Sequence, residues 1–206
     1  MIPIRHFVSI VVSLSLLGSL TLWSGNMDAG ATAPAKAYFA GGCFWCMEEA
    51  FEQVEGVIEV VSGYMGGTVA NPSYEQVSGG STGHAESVEV SYDPAKVSYQ
   101  KLLDVFWRNV DPITPNAQFC DHGSQYRSAV FYGTDEEQRL TAESKAAIER
   151  SKRFSAPIVT QVVKASVFYP AEDYHQDFYK KNPLRYKSYK FGCGRARRLE
   201  TLWGTP

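Results

Sequence analysis

Apolar positions along the chain follow two spacings, one typical of strands and one typical of helices. Alternating or short β-branched runs predict the strands, and apolar residues three and four positions apart predict the helices. The predicted strands cover residues 37–40, 57–61, 84–92, 128–132 and 158–167. The predicted helices run from Cys43 to about Val54, follow caps at Ser98 and Thr134, make one turn at Tyr74–Val77, and cover Glu172–Lys180.

The order of these elements predicts the fold class. They run β-α-β, β-α-β and then one further helix and strand, which suits an α+β fold of the ferredoxin-like type, a two-layer α/β sandwich. Residues 71–82 and 111–123 carry turn signals from glycine, asparagine or proline. We expect long loops there, and long loops inside compact domains are usually functional.

The first 36 residues differ from the rest and predict export. A weakly basic start at Arg5 and His6 precedes an apolar stretch at residues 7–23, and small polar residues follow. This layout is typical of a secretory signal peptide; an uncleaved membrane anchor is the alternative, because roughly 17 apolar residues are the lower limit for a span. We therefore expect a signal peptide or anchor with a linker at 1–36 and one domain at 37–206, in a periplasmic or other extracytoplasmic compartment.

Composition limits the classes of partner. Hydrophobic residues make up 44% and aromatic residues 13% of the 206 residues, a globular composition that can bury a core. The formal net charge of −2 does not point to nucleic acid or to an anionic membrane surface. The sequence carries no clear signal for oligomerisation, so we expect a monomer.

Two cysteines three residues apart, Cys43 and Cys46, are the clearest chemical signal. Gly41 and Gly42 end the first strand, so Cys43 should begin a helix, where unpaired N–H groups and the helix dipole lower the pKa of a thiol. Cys46 then lies one turn along on the same face. A nucleophilic thiol with a second thiol in reach is typical of redox chemistry. Buried structural cysteines, half a zinc site and a thioredoxin-like motif are the alternatives.

The strand at 84–92 carries a carboxylate among apolar residues. Glu86 shares a face with Val88 and Val90. Burial on that face would raise the pKa of Glu86 and keep its proton in place at neutral pH. Glu86 is therefore a candidate proton donor, with a surface carboxylate on an edge strand as the simpler interpretation.

Five blocks of the sequence form one recognisable set. They are Gly-Cys-Phe-Trp at 42–45, Ser-Gly-Tyr-Met-Gly-Gly at 62–67, Thr-Gly-His-Ala-Glu at 82–86, Gly-Ser-Gln-Tyr-Arg-Ser at 123–128 and Ala-Glu-Asp-Tyr-His-Gln at 171–176. In this order the blocks resemble the peptide methionine sulfoxide reductases of the A type. The resemblance runs from about residue 37 to about residue 182, and the tail beyond matches only a subset of the family. It implies the same ferredoxin-like core, with long loops wrapped around it.

Reduction of a sulfoxide requires a soft nucleophile at sulfur, a proton for the oxygen and a pocket for the methyl group. The resemblance makes Cys43 the nucleophile and supports Glu86 as the proton donor. It also implies that Tyr64 and Tyr126 bind the sulfoxide oxygen, that Phe44 and Trp45 hold the methyl group, that Asp121 orients the pocket, and that Tyr174 lines its rim. We expect His175 to be structural, and the sequence indicates no metal site.

Attack would leave Cys43 as a sulfenic acid, which a second thiol converts to a disulfide. Much of the family has glycine at the position of Cys46 and resolves with cysteines in a glycine-rich tail. Here the proximity of Cys46 favours it as the resolving cysteine. Cys193, which we expect in a flexible setting, is the alternative as a resolving or relay cysteine, and Cys120 is expected to be structural or buried.

The leading hypothesis is therefore an enzyme that reduces methionine (S)-sulfoxide, free or in proteins. The resemblance implies no bound cofactor and a thioredoxin-type protein or a dithiol as the reductant. A general thiol–disulfide oxidoreductase that uses Cys43 and Cys46 is the second hypothesis, although disulfide exchange needs no aromatic pocket and no acid. A non-catalytic, disulfide-bonded binding domain is the third.

Overall fold

A six-stranded sheet forms the centre of the protein in the computed structural model, which describes residue 1 and residues 33–204. A separate two-stranded sheet lies in one of the long loops. The strands of the central sheet are β1 (Ala35–Gly41), β2 (Val57–Met65), β3 (Ala85–Tyr92), β6 (Ser128–Tyr132), β7 (Gln161–Lys164) and β8 (Tyr169–Pro170). The small sheet is made of β4 (Ala117–Gln118) and β5 (Asp121–His122).

The strand order confirms the predicted fold class. The central sheet has the order β7-β6-β1-β3-β2-β8, with all neighbours antiparallel except β6 and β7. Its inner four strands, β6-β1-β3-β2, have the order and directions that two β-α-β units give in a ferredoxin-like sandwich. The two outer strands extend this sheet on either side.

Seven helices accompany the sheets among the described residues. They are α1 (Phe44–Glu52), α2 (Tyr74–Ser78), α3 (Tyr99–Arg108), α4 (Asp135–Arg150), α5 (Phe178–Lys181), α6 (Pro183–Gly192) and α7 (Arg195–Trp203). On β1, Phe39 stacks against Phe51 of α1 at 4.8 Å and Phe106 of α3 at 5.4 Å between ring centroids. The predicted caps are present, because the side chains of Ser98 and Thr134 each accept a backbone N–H from the first helical turn.

The segment before α5 corrects a sequence prediction. A helix was expected over Glu172–Lys180, but the helix begins only at Phe178, after Asp177 with a positive φ of 54°. The reason is that polar side chains fix the segment to the sheet instead. Gln176 accepts the N–H of Ser62 and donates to its carbonyl, each at 2.9 Å.

Two further predictions differ from the structure. The strand expected over residues 158–167 is ordered as a strand only at β7. The tail that was expected to be flexible instead forms α6 and α7, with Cys193 at the end of α6.

Among residue 1 and residues 33–204, no helix has the length and apolar character needed to cross a membrane. The predicted signal peptide or anchor lies almost wholly outside these residues, so its assignment stays a prediction.

Candidate active site

The turn from β1 into α1 positions the two central cysteines. Gly42 has φ +79°, and a side chain at this position would meet Gln118 at 2.4 Å, so the turn requires glycine. Cys43 follows as the N-cap of α1, and the N–H of Cys46 donates to its carbonyl at 3.1 Å. Both thiols are free and buried, with 5% of Cys43 and 3% of Cys46 exposed.

Burial rather than the helix dipole dominates the ionisation of Cys43, which corrects the sequence prediction of a lowered pKa. Burial raises the pKa of Cys43 well above its usual value. The hydrogen bond from Cys43 lowers the pKa of Cys46 to about 6, against the effect of burial and with help from Arg195, Tyr186 and Lys190. The two thiols therefore titrate as one pair, in which the surroundings favour negative charge on Cys46 over Cys43.

Glu86 lies at the same helix end. Its Oε2 accepts the N–H of Phe44, the residue after Cys43, at 3.0 Å, and only 3% of Glu86 is exposed. Burial raises the pKa of Glu86 to about 8, although the hydrogen bond from Phe44 opposes this shift. The carboxyl group therefore keeps its proton at neutral pH, as predicted, and can donate it beside the thiol pair.

The two tyrosines expected at the sulfoxide oxygen have different surroundings. Tyr64 is fully buried on β2, and its hydroxyl donates to Oε2 of Glu172 at 2.9 Å. Tyr126 is half-buried at the end of a short 3-10 turn, and its hydroxyl makes no comparable bond among the described residues. Burial, followed by the charge of Glu86, raises the pKa of Tyr126, so its phenol stays protonated and can donate to a ligand.

The aromatic pair after Cys43 divides between core and site. Phe44 is buried, with its ring 6.0 Å from Tyr64 and 5.0 Å from His175. Trp45 is half-buried, stacks on Phe178 at 3.8 Å, and donates its Nε1–H to Nδ1 of His175 at 3.1 Å. Phe44 is therefore part of the core, whereas Trp45 is the more accessible ring.

His175 and Tyr174 lie beside this pair. His175 is buried, and burial lowers its pKa, so the imidazole is neutral and orients Trp45. Its Nε2 has no hydrogen-bond partner among the described residues. Tyr174 is 55% exposed, and its ring lies 4.2 Å from that of His175, which places it on the surface next to the site.

Two tyrosines of α6 cover the thiols, and sequence reasoning missed both. The hydroxyl of Tyr189 donates to Oδ2 of Asp121 at 2.5 Å and is also hydrogen-bonded to Cys43. The hydroxyl of Tyr186 donates to Oε2 of Glu49 at 2.6 Å and is also hydrogen-bonded to Cys46. Each cysteine therefore has its own tyrosine and carboxylate.

A signal for these tyrosines exists in the sequence. Tyr186, Tyr189 and Lys190 are three and four positions apart, the spacing of one helix face, and Pro183 suits a first helical position. The family blocks end before this helix, so the resemblance gave no reason to connect it with the site.

The second pair of cysteines forms a disulfide. Cys120 is bonded to Cys193, which joins the loop beside Asp121 to the end of α6. Cys120 is exposed, so of the two alternatives expected for it, structural or buried, the bond supports the structural one. Since Cys193 is occupied in this bond, Cys46 is the free thiol next to Cys43.

One carboxylate cluster could in principle hold a cation. Glu48, Glu52 and Asp177 offer oxygens within 4.8 Å of one another. Lys180 already supplies a positive charge there, with its Nζ 2.6 Å from Glu52 and 2.7 Å from Asp177. The cluster is therefore explained as an ion-pair network.

The site combines two buried thiols, a protonated carboxyl group and an accessible tryptophan. Comparison with known protein families shows which family carries this site. The family model described as "Peptide methionine sulfoxide reductase" matches residues 35–206. The chain belongs to the peptide methionine sulfoxide reductase family. It is therefore an oxidoreductase that reduces methionine sulfoxide through a thiol.

Individual relatives agree with the family match. Peptide methionine sulfoxide reductase MsrA of Listeria innocua is 48% identical over 168 residues, covering 82% of this chain and 95% of the relative. The MsrA of Halalkalibacterium halodurans is 48% identical over 169 residues, covering 82% and 96%. These reductases are similar to the chain over almost their whole length.

Solved structures show the same fold. Reduced Mxr1 of Saccharomyces cerevisiae has a TM-score of 0.69 and 32% identity, covering 74% of this chain and 87% of that one. Methionine sulfoxide reductase A of Corynebacterium diphtheriae has a TM-score of 0.67 and 30% identity, covering 75% and 78%.

Proposed function

We propose that this reductase acts on the S-epimer of methionine sulfoxide, free or in proteins, with Cys43 as nucleophile, Glu86 as proton donor and Cys46 as resolving cysteine. The supporting observation is the position of Glu86. A buried carboxyl group with a pKa of about 8 is hydrogen-bonded to the residue after Cys43. An acid held there can protonate a sulfoxide oxygen whose sulfur is attacked by Cys43.

The first step begins with proton transfer inside the thiol pair. Cys43 passes its proton to the Cys46 thiolate along their hydrogen bond and becomes the nucleophile. Tyr189 lowers the pKa of Cys43 and so favours this thiolate. The thiolate attacks sulfur, the oxygen takes the proton of Glu86 and moves to Cys43, and methionine leaves. Cys43 is then a sulfenic acid, and Cys46 is a neutral thiol.

The second step closes a disulfide between Cys43 and Cys46 and releases one water. Cys46 is in the first turn of the helix that Cys43 caps, and it is free. Cys193 would first have to lose its bond to Cys120. A thioredoxin-type protein or a dithiol then returns the pair to thiols, as the family membership supports.

The acid beside the thiols argues against general disulfide exchange. Glu86 is held protonated at the helix end that carries Cys43. Transfer of a sulfoxide oxygen uses such a proton, whereas attack of a thiolate on a disulfide does not. The surroundings thus favour sulfoxide reduction over the second hypothesis.

The proposals for the compartment and the oligomeric state rest on the sequence alone. We propose that the enzyme is exported, because the first 36 residues have the layout of a signal peptide or anchor. We also propose that it acts as a monomer, since neither charge nor pattern in the sequence suggests association.

The reaction and its handedness have one direct test. The full-length, reduced protein is incubated with racemic N-acetyl-methionine sulfoxide and dithiothreitol, and the epimers are separated by chiral chromatography. We expect loss of the S-epimer alone, and no loss with Cys43→Ser. Survival of both epimers in the presence of folded protein with free Cys43 would contradict the proposal.

A further inference from the structure

With the roles proposed above for Cys43 and Cys46, closure of their disulfide requires a proton transfer. After the first step, Cys46 holds a proton that it must lose before its sulfur attacks the sulfenic acid. Only 3% of Cys46 is exposed, so a side chain in contact with its sulfur is better placed than bulk water to take this proton.

Tyr186 is in the position to do so. It is 2% exposed and packs beside Cys46 in one buried cluster, where its hydroxyl lowers the pKa of the Cys46 thiol and donates to Oε2 of Glu49 at 2.6 Å. A hydroxyl group can accept one proton while it donates another. The thiol proton can therefore move to the tyrosine oxygen as the tyrosine proton moves to Glu49.

The outer end of this chain of groups reaches the surface. Glu49 pairs with Lys190, and their side chains are 20% and 38% exposed. Cys46, Glu49 and Lys190 also line one cavity of about 810 Å³, whose walls come from α1, α3, α6 and α7. A proton on Glu49 can thus pass to solvent on this side.

The charges around Cys46 favour this direction of transfer. Arg195 and Lys190 are the cations that stabilise its thiolate, and Tyr186 and Cys43 hydrogen-bond to it. Arg195 is buried and fixed by donation to the carbonyl of Asn109 at 2.6 Å. Their combined field holds negative charge on the sulfur once the proton has left.

We propose that Tyr186 and Glu49 form a proton path that carries the thiol proton of Cys46 to the surface as Cys46 closes the disulfide with Cys43. Tyr186 touches the reacting sulfur, and Glu49 acts through it. The sulfur of Cys46 bonds to that of Cys43, the S–O bond breaks, and the oxygen leaves as water after taking a proton. The thiol proton released through the path balances that proton, and no further oxidant or reductant takes part.

The test separates the two chemical steps. Wild type and Tyr186→Phe, with Cys43 and Cys46 reduced and the Cys120–Cys193 bond retained, are mixed with a methionine sulfoxide peptide and no reductant. Samples are quenched on the millisecond-to-second scale. Methionine release reports the first step, and mass spectrometry of the sulfenic acid, trapped with dimedone, and of the disulfide reports the second. We expect the first step to stay within about twofold and the second to slow by about 10- to 100-fold.

The pH profile gives a second readout that a structural role would not move. Loss of the hydroxyl removes a hydrogen bond that lowers the pKa of Cys46. The inflection of the second step should therefore move to higher pH in Tyr186→Phe. Glu49→Gln, which keeps a hydrogen-bond acceptor but cannot hold the proton, should slow the second step in the same direction.

Tyr179→Phe is the matched control. Tyr179 donates its hydroxyl to Glu52, one turn further along α1 than Glu49, so it is a similar tyrosine–glutamate pair between neighbouring helices. This variant should leave both steps at wild-type rates.

Three outcomes would overturn the proposal. One is a wild-type second step and pH profile in Tyr186→Phe, with the disulfide mapped to Cys43 and Cys46. Another is an equal loss in both steps, which would indicate a structural role. The third is a disulfide between Cys43 and a cysteine other than Cys46, which would also remove the proposed resolving role and is seen by mapping the wild type alone.

Discussion

The two cysteine pairs of this protein contrast in burial, bonding and surroundings. Cys43 and Cys46 are buried free thiols in the first turn of α1, next to a protonated carboxyl group. Cys120 and Cys193 are bonded to each other, with Cys120 exposed at the surface. The contrast shows that the four cysteines of one chain need not form two pairs of the same kind. The buried pair has the neighbours that chemistry needs, and the surface pair joins two segments of chain.

The largest effect should come from the acid beside the buried pair. Glu86→Gln removes the proton but keeps a group that can accept the N–H of Phe44. We expect the first step to slow by about 10²- to 10⁴-fold at pH 7, measured as methionine released in a single turnover. A wild-type rate in this variant would show that the proton comes from elsewhere.

The same carboxyl group fixes the pH dependence. Since burial raises the pKa of Glu86 to about 8, the acid is protonated below that pH and loses its proton above it. The wild-type first step should therefore fall as the pH rises through about 8. Glu86→Gln should lack this fall, and its presence there would assign the inflection to another group.

Removing Cys46 alone, or both cysteines of the surface pair, tests the contrast directly. Cys46→Ser should still release methionine in a first turnover, but its dithiothreitol-driven cycling should fall by about tenfold or more, because the neighbouring thiol closes the disulfide. The double variant Cys120→Ser/Cys193→Ser should cycle with dithiothreitol within about twofold of wild type. Loss of cycling in the double variant, with Cys46→Ser unaffected, would reverse the roles of the two pairs.

The sequence predicts the core of this fold well, for identifiable reasons. In strand β3, Val88, Val90 and Tyr92 alternate with polar residues in the sequence. The caps at Ser98 and Thr134 depend on contacts within one turn, so local patterns suffice there as well. The helix predicted before α5 was wrong because the side chains of Glu172 and Gln176 bind to the distant strand β2. Such bonds are set by tertiary contacts, which periodicity does not contain.

In the active site, too, the sequence predicts what local pattern decides and misses what distant contacts decide. The proton on Glu86 was predicted, because one alternating strand face already implies its burial. The pKa of Cys43 was predicted in the wrong direction, because the helix-end argument omitted the covering residues. Those residues are on α6, more than 130 positions away in the chain, and bring the burial and hydrogen bonds that decide the ionisation.

The smallest effect on catalysis, and a clear one on stability, should come from the surface pair. The bond between Cys120 and Cys193 closes a loop of 73 residues, so removing it increases the freedom of the unfolded chain. A loop of this size predicts a loss of about 4 kcal/mol in the free energy of unfolding for Cys120→Ser/Cys193→Ser, measured by urea denaturation. Wild type treated with a reductant should lose a similar amount, which separates the bond from the serine side chains.

This loss should concentrate where the bond holds the chain. Cys193 ends α6, and Tyr186 and Tyr189 of that helix cover the buried thiols. Hydrogen exchange in α6 should therefore speed up in the double variant, while β1 and β3 keep their protection. Equal exchange in α6 with and without the bond would mean that packing of the two tyrosines alone fixes the helix. In that case the surface pair would contribute nothing to the cover of the active pair.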